Sequence, residues 1–256
     1  MNSCDCRVGI KNLSFSYGQK MLFENISLDM EDGFVSIIGP NGSGKTTLVK
    51  LITGLLPLPE DTVKICGRDL NRIPPNQRAR LFTVINQKQV FPFPFTCLEL
   101  ISLGRYPYKR DLNDLSQEDY QIIIDAMRET EVLGFKDKMI TDISGGEQQR
   151  VILAAALAQD TSVIYLDEAF SALDICHKAN MIRLLKERVR KKGILVVAIM
   201  HDLNDAYRYS DKVCILDQGK IVGYDRPEAV MTAETISKVF KINVEQISGK
   251  GFFINL

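Results

Sequence analysis

Gly39-Pro40-Asn41-Gly42-Ser43-Gly44-Lys45-Thr46 follows the pattern G-x-x-x-x-G-K-[ST], placed directly after the apolar run Phe34-Val35-Ser36-Ile37-Ile38 and directly before a helix-forming segment. Strand, glycine-rich turn and helix in that order are what a loop that wraps a phosphate chain requires. The turn's backbone N–H groups would cradle the α and β phosphates, Lys45 would reach the β and γ phosphates, and the Thr46 hydroxyl would ligate Mg²⁺. Thr47, next in the chain, is counted with the phosphate-binding set.

The run before this loop is apolar almost throughout, as are Val163-Ile164-Tyr165-Leu166 and Ile194-Leu195-Val196-Val197-Ala198-Ile199-Met200. Such runs fit central strands of a parallel sheet, buried on both faces. Residues 8–15 and 21–30 instead alternate apolar and polar around Tyr17-Gly18-Gln19-Lys20, which predicts an antiparallel pair. Helices are expected from Lys45 to Thr53, closed by Gly54, and from Asp174 to Lys192, which ends in basic residues before Gly193. Residues 88–160 lack strand runs and contain a capped helix starting near Ser116 and stopping at Gly134. The tail from Lys212 predicts a hairpin around Asp217-Gln218-Gly219 and a helix from Thr232 to Phe240. The expected fold is α/β: a phosphate-loop NTPase core with a mainly parallel sheet, an N-terminal antiparallel β subdomain and a helical insertion. It forms a single domain over residues 1–256, with core and β subdomain in 1–87 and 161–256 and the helical subdomain in 88–160.

A chain of 256 residues that is 45% hydrophobic can bury one large core or two modest ones. Its 32 Lys plus Arg balance 32 Asp plus Glu, so nothing global points to nucleic acid. No apolar run is long enough to span a bilayer, and Asn2, Ser3 and Asp5 are polar where a signal peptide would need an apolar segment, so the chain reads as cytoplasmic. Cysteines at 4, 6, 66, 97, 176 and 214 lack paired metal-ligand spacing apart from Cys4-Asp5-Cys6, and read as reduced structural thiols.

Asp167 and Glu168 follow the apolar strand Val163–Leu166, at the carboxyl end where open α/β sheets bind ligands. Alone, such a pair would be an ordinary solvated turn. With a phosphate loop in the same chain, Asp167 can hold the Mg²⁺ shell and Glu168 can polarise an attacking water. His201 ends the next buried strand, where a neutral imidazole could position that water or contact the γ phosphate. His177, inside a predicted helix with basic neighbours, reads as structural. Ile143-Ser144-Gly145-Gly146-Glu147-Gln148-Gln149-Arg150 asks for a second phosphate cradle at a helix start: Ser144 serves as N-cap and two glycines let the backbone approach an anion. A single nucleotide would need only one.

Taken in order, these residues resemble those of the ATP-binding cassette ATPases, the nucleotide-binding subunits of ABC transporters, over nearly the whole chain. Tyr17 is similar to the aromatic residue that stacks on adenine, and Gln87 to the glutamine that links Mg²⁺ to the helical insertion. Ser171-Ala172-Leu173-Asp174 resembles the loop that carries an aspartate across the dimer, and His201 the switch histidine. Ser144-Gly145-Gly146-Glu147-Gln148 resembles the family's signature sequence. The resemblance implies ATP and Mg²⁺ as cofactors, Glu168, His201 and Gln87 as catalytic residues, and Thr46, Gln87 and Asp167 around the metal. It also implies a head-to-tail homodimer in which Ser144, Gly145, Gly146 and Glu147 of one subunit cover ATP held by the other. Ile143 and Glu147 depart from the commonest leucine and glutamine, and Ala169-Phe170 from a proline and a small hydroxylic residue.

Phe91-Pro92-Phe93-Pro94-Phe95 cannot form a regular helix or central strand. It either plugs the insertion's own core or docks a membrane partner, which the family engages at this place. Thr96 to Tyr108, above all Gly104-Arg105-Tyr106-Pro107-Tyr108, is similar to the corresponding segment of importer ATPases for iron-siderophore complexes, haem and vitamin B12. The resemblance therefore implies a motor subunit peripheral to the cytoplasmic face of the membrane. Its partners would be separate transmembrane permease subunits and, indirectly, a substrate-binding protein, with no nucleic acid. A soluble cassette ATPase acting as a mechanical or regulatory module is the alternative; the span from Lys45 to Ser144 leaves no room for the long coiled coil some of these carry. A nucleotide kinase would leave Ser144-Gly145-Gly146 and His201 unexplained.

Overall fold

Alternation along the N-terminal segment produces strands that bury one face. In the computed structural model, which describes residues 7–86, 91, 93–109, 115–170, 173–247 and 251–255, β1 (Val8–Tyr17) and β2 (Lys20–Met30) pair antiparallel. Val8, Ile10 and Leu13 are buried on one, and Phe23, Ile26, Leu28 and Met30 on the other. Asn12 and Asn25 take left-handed φ values of 51° and 52° near the register shifts, a conformation asparagine tolerates. β3 (Gly33–Ile38) is buried at every position and leads through the phosphate loop into α1 (Lys45–Ile52). β4 (Val63–Ile65) and β5 (Arg68–Asp69) extend the antiparallel sheet to the order β2-β1-β4-β5.

These elements belong to one of two compact units, Met1–Ile73 with Arg188–Leu256; the other is Pro74–Glu187. The second unit starts with α2 (Pro75–Leu81), which follows a Pro-Pro start, and β6 (Phe82–Ile85). Next come α3 (Cys97–Ser102), α4 (Gln117–Glu129) and α5 (Gly145–Ala158), all opened by capping boxes and packed on one another. β7 (Val163–Asp167) is parallel to β6, and α6 (Ile175–Lys192) leads back towards the first unit. There β8 (Leu195–Ile199), α7 (Leu203–Tyr209), β9 (Lys212–Asp217) and β10 (Lys220–Asp225) follow. β3 lies between β8 and β9, parallel to both, and β9 and β10 form the expected hairpin. α8 (Pro227–Val230), α9 (Ala233–Phe240) and the antiparallel pair β11 (Asn243–Ile247) and β12 (Gly251–Asn255) complete the unit.

The α/β class, the parallel strands, the antiparallel N-terminal sheet and the helices after Cys97 are as expected. α4 differs by stopping at Glu129, short of Gly134. Thr130 turns its hydroxyl back onto the Ala126 carbonyl (2.9 Å) and Glu131 takes φ 59°, so a left-handed residue ends the helix without glycine. The short strands β4 and β5, helices α2 and α7, and the β11–β12 pair carried no period long enough to be read. Cys4 and Cys6 lie outside the described residues; of the other thiols, Cys97 and Cys214 are buried and Cys176 is exposed.

The Gly104–Tyr108 segment locks the helices together. A Cβ on Gly104 would stand 2.4 Å from the Ala155 carbonyl, so glycine is required for the backbone to touch α5. Arg105, 7% exposed, gives Nε to Asp119 Oδ1 (2.8 Å) at the start of α4 and Nη1 to the Ala158 carbonyl (2.8 Å) at the end of α5. Its guanidinium stacks 4.1 Å from the Tyr108 ring centroid, and Arg80 approaches the same ring at 5.2 Å. Burial pushes the Asp119 carboxyl up, but hydrogen bonds from Ser116 and Arg105 outweigh it and leave the pKa below the usual carboxylate value. Arg105→Ala should cost about 3 kcal/mol in a urea melt, because it takes the partner from Asp119 Oδ1 and from a helix-end carbonyl, while Asp119 Oδ2 keeps Ser116. Asp119 contributes stability above the ordinary carboxylate pKa and loses it as pH falls through the lowered one, so the variant's deficit should shrink in acid.

Candidate nucleotide site

Three close backbone approaches shape the phosphate loop. Gly39 has φ 156° and a Cβ there would sit 2.0 Å from the Leu216 carbonyl; Gly44 has φ 108° and a Cβ would meet the buried Phe23 ring at 2.7 Å. Gly219, in the β9–β10 turn, donates its N–H to the Ser43 carbonyl (3.1 Å), and a Cβ on it would strike Leu22 O at 1.6 Å. Glycine is therefore obligatory at each. The helix start at Gly44 has no side-chain cap hydrogen bond and no acid in its first turn, so its dipole faces an anion without a competing carboxylate. The Ser43 hydroxyl, in a residue 3% exposed, has no hydrogen-bond partner among the described residues. A buried orphan hydroxyl is costly, and a phosphate oxygen at this cradle would satisfy it. Lys45 is buried and folds its ammonium onto the carbonyls of Gly39 (2.8 Å) and Pro40 (2.9 Å), within the loop itself.

Tyr17 is placed beside this loop. Its ring is 52% exposed, stands edge-on to Phe15 at 4.9 Å, and its hydroxyl lies 3.5 Å from Thr47 Oγ1 on α1. That combination of a fixed ring and an open face suits stacking on a nucleobase. His201 belongs to the same rim, because β8 runs parallel beside β3 and the Met200 N–H reaches the Ile37 carbonyl at 3.2 Å. His201 is exposed and precedes α7, whose N-cap Asp202 accepts from the N–H groups of Asn204 and Asp205.

In the second unit, β7 delivers Asp167 and Glu168 half-buried at its carboxyl end. Glu168 has φ 54°, a left-handed value that glutamate adopts only when its surroundings impose it, and such strain concentrates at functional sites. At the start of α5, Ser144 and Glu147 form a capping box: Glu147 Oε2 accepts from the Ser144 N–H and hydroxyl, both 2.7 Å. Those bonds hold the Glu147 carboxyl below its usual pKa. Gly145 is exposed with open space where a Cβ would stand, and Gln148 Nε2 ties the preceding turn through the carbonyls of Ile140 (3.0 Å) and Ile143 (3.3 Å). Asp174 caps α6, taking the His177 N–H (2.9 Å) and facing His177 Nδ1 (2.7 Å), a partnership the sequence did not reveal. Gln87, Ser171 and Ala172 lie outside the described residues. Gly219 and Phe23, which shape the loop from outside it, were also missed; the glycine in the Asp217-Gln218-Gly219 turn was the available clue.

A phosphate-cradling turn between parallel strand and helix defines a P-loop nucleotide-binding protein. The profile of the ABC transporter family matches residues 23–171. An uncharacterized ABC transporter ATP-binding protein of Bacillus subtilis, YvrA, is 38% identical over 91% of this chain, which spans 53% of that protein. The hemin import ATP-binding protein HmuV of Thermobifida fusca is 36% identical over 94% of this chain and 84% of its own length. The ferric enterobactin transport ATP-binding protein FepC of Escherichia coli is 34% identical over 94% and 89%. The solved dimeric, post-hydrolysis structure of an ATP-binding cassette bound to ADP and Pi superposes with TM-score 0.75 at 27% identity, covering 86% of this chain and 98% of that one. The chain belongs to the ABC transporter family, as one of its ATP-binding ATPases. Lys45→Ala should abolish ATP binding in a fluorescent-nucleotide titration, and Gly39→Ala should do the same while also lowering the melting temperature; ordinary affinity in either would exclude this loop as the phosphate site.

Proposed function

We propose that this chain is the motor subunit of an importer: it dimerises on ATP, hydrolyses it, and drives a separate membrane permease that takes up iron chelate, haem or cobalamin. One observation carries the reading. Besides the phosphate loop before α1, the chain has a second glycine-bearing helix start, α5 behind Ser144, whose Gly145 is exposed with open space where a Cβ would stand, and one nucleotide engages only one of the two. The second then serves ATP held by another copy, with Ser144, Gly145 and Gly146 at the γ phosphate. Glu147 supports this as the residue that fixes the Ser144 cap. The dimeric ADP-bound cassette supports a two-copy assembly, and relatives named for hemin import and ferric enterobactin transport support the cargo class.

Within one composite site, Tyr17 would stack on adenine and Gly39–Thr47 would wrap the phosphates. Thr46, Asp167 and Gln87 would hold Mg²⁺, which supplies charge neutralisation of the β and γ phosphates. Glu168 would take a proton from the attacking water, with His201 orienting the γ phosphate and Asp174 ordering the partner's loop. No helix among the described residues is long and apolar enough to cross a membrane, so attachment to the cytoplasmic face would come through the permease. Phe93, 65% exposed and packed edge-on against Phe95, offers an apolar docking point for it on the helical unit, while the half-buried Phe95 anchors the segment through its carbonyl to the Ile140 N–H (2.9 Å).

Glu168→Gln should keep ATP affinity, lose about 10²-fold or more in turnover, and elute as a dimer with ATP on sizing chromatography; a protein that stays monomeric sinks the dimer reading. Ser144→Arg alone should be inactive. Mixed with Lys45→Ala subunits it should recover no more than one composite site per dimer, whereas full activity of pure Ser144→Arg removes the shared-site mechanism.

A further inference from the structure

The side-chain amide of Asn204 ties the β11–β12 pair to α7. Asn204 Nδ2 donates to the Phe252 carbonyl (3.2 Å) and Asn204 Oδ1 accepts the Phe252 N–H (2.6 Å), so the side chain pairs with residue 252 as a neighbouring strand would. Gly251 takes φ 117°, and a Cβ there would lie 2.2 Å from Asn204 Oδ1, so glycine is what lets the two meet. The buried Phe252 ring then stands edge-on to Tyr207 at 5.5 Å, one helical turn beyond Asn204.

α7 is too short to hold its own place. Its carboxyl end is fixed by the buried contact of Ser210 Oγ with Ser36 Oγ (2.6 Å) and by the Phe34 N–H on the Asp211 carboxylate (2.8 Å). Its first turn, which follows His201, is exposed at Asp202 and Asn204, and the amide pairing with residue 252 is what anchors it to the C-terminal pair. β8 sets the backbone entering His201; α7 sets the backbone leaving it.

We propose that Asn204 is a positioning residue for His201, acting by clasping the C-terminal β11–β12 strap against α7. This rests on the reading of His201 as a γ-phosphate contact. Asn204 touches no nucleotide in this scheme, so its loss displaces His201 while leaving the phosphate loop and Tyr17 intact. Displacement of a group at the reacting centre is read in turnover, not in nucleotide affinity.

In the full chain with Mg²⁺ and ATP, Asn204→Ala is expected to lower kcat about tenfold with KM and nucleotide Kd within about twofold of the parent, and Gly251→Ala to do the same. Val244→Ala removes packing from the strap's buried face but leaves the clasp, and is expected to lower the melting temperature while kcat stays at the parent value. If Asn204→Ala fails to fold, Asn204→Asp, which keeps an acceptor for the Phe252 N–H but loses the donor to its carbonyl, carries the same test. Unchanged kcat in the Asn204 and Gly251 variants, or an equal fall in kcat for Val244→Ala, overturns the proposal. A His201→Ala arm separates the two readings: if it hydrolyses ATP normally, the role of His201 itself fails, whereas an inactive His201→Ala beside a fully active Asn204→Ala sinks the strap alone.

Discussion

The phosphate loop exists because three backbone segments approach more closely than any side chain would permit. Gly39 lies against the Leu216 carbonyl, Gly44 against the Phe23 ring and Gly219 against the Leu22 carbonyl, with the Gly219 N–H holding Ser43 from behind. The loop is thus clamped between β2 and the β9–β10 turn. Pre-fixed N–H groups need little reorganisation when an anion arrives, and that would give a short turn affinity for phosphate. Everything else in the first unit either supports that clamp or places a group beside it. β3 is buried on all six positions so that it can sit between β8 and β9, and the same parallel arrangement brings His201 to the loop's rim.

The second unit solves a different problem, which is to present the start of α5 without letting the helix shift. Its last turn is gripped by Arg105 at the Ala158 carbonyl and touched by Gly104 at the Ala155 carbonyl, and its head is closed by the reciprocal bonds of Ser144 and Glu147. The Gly104–Tyr108 segment, similar to importer sequences, thereby has a physical task remote from any cargo: a buried guanidinium joins two helices and stacks on Tyr108. Glu147, in place of the commoner glutamine, keeps the cap because either side chain offers an acceptor to the Ser144 N–H, and the carboxylate accepts the hydroxyl as well.

Much of this was legible from residue order. The glycine pattern located a tight turn between a strand and a helix, the apolar runs gave the parallel strands, and the alternation at the N-terminus gave the antiparallel pair, because burial on two faces and on one face leave different periods. The helix from Ser116 was found but overrun, since a left-handed Glu131 ends it where glycine was the expected stop. Helix α7 and the pair β11–β12 were not read at all. Each is too short to show a period, and each owes its place to contacts with distant parts of the chain.

By itself the sequence determined which chemical groups stand at which spacings, and so which residues are proposed to meet phosphate, metal and water, since those identities and local spacings are covalent facts. Only the tertiary structure decided how each is held. It showed the Ser43 hydroxyl buried without a partner among the described residues, Glu168 strained at φ 54°, Asp174 engaged with His177, and Asn204 clasping residue 252, 48 positions away. Such contacts join residues with no fixed separation along the chain, and the free energy that selects them comes from packing and hydrogen bonding after the chain has closed on itself.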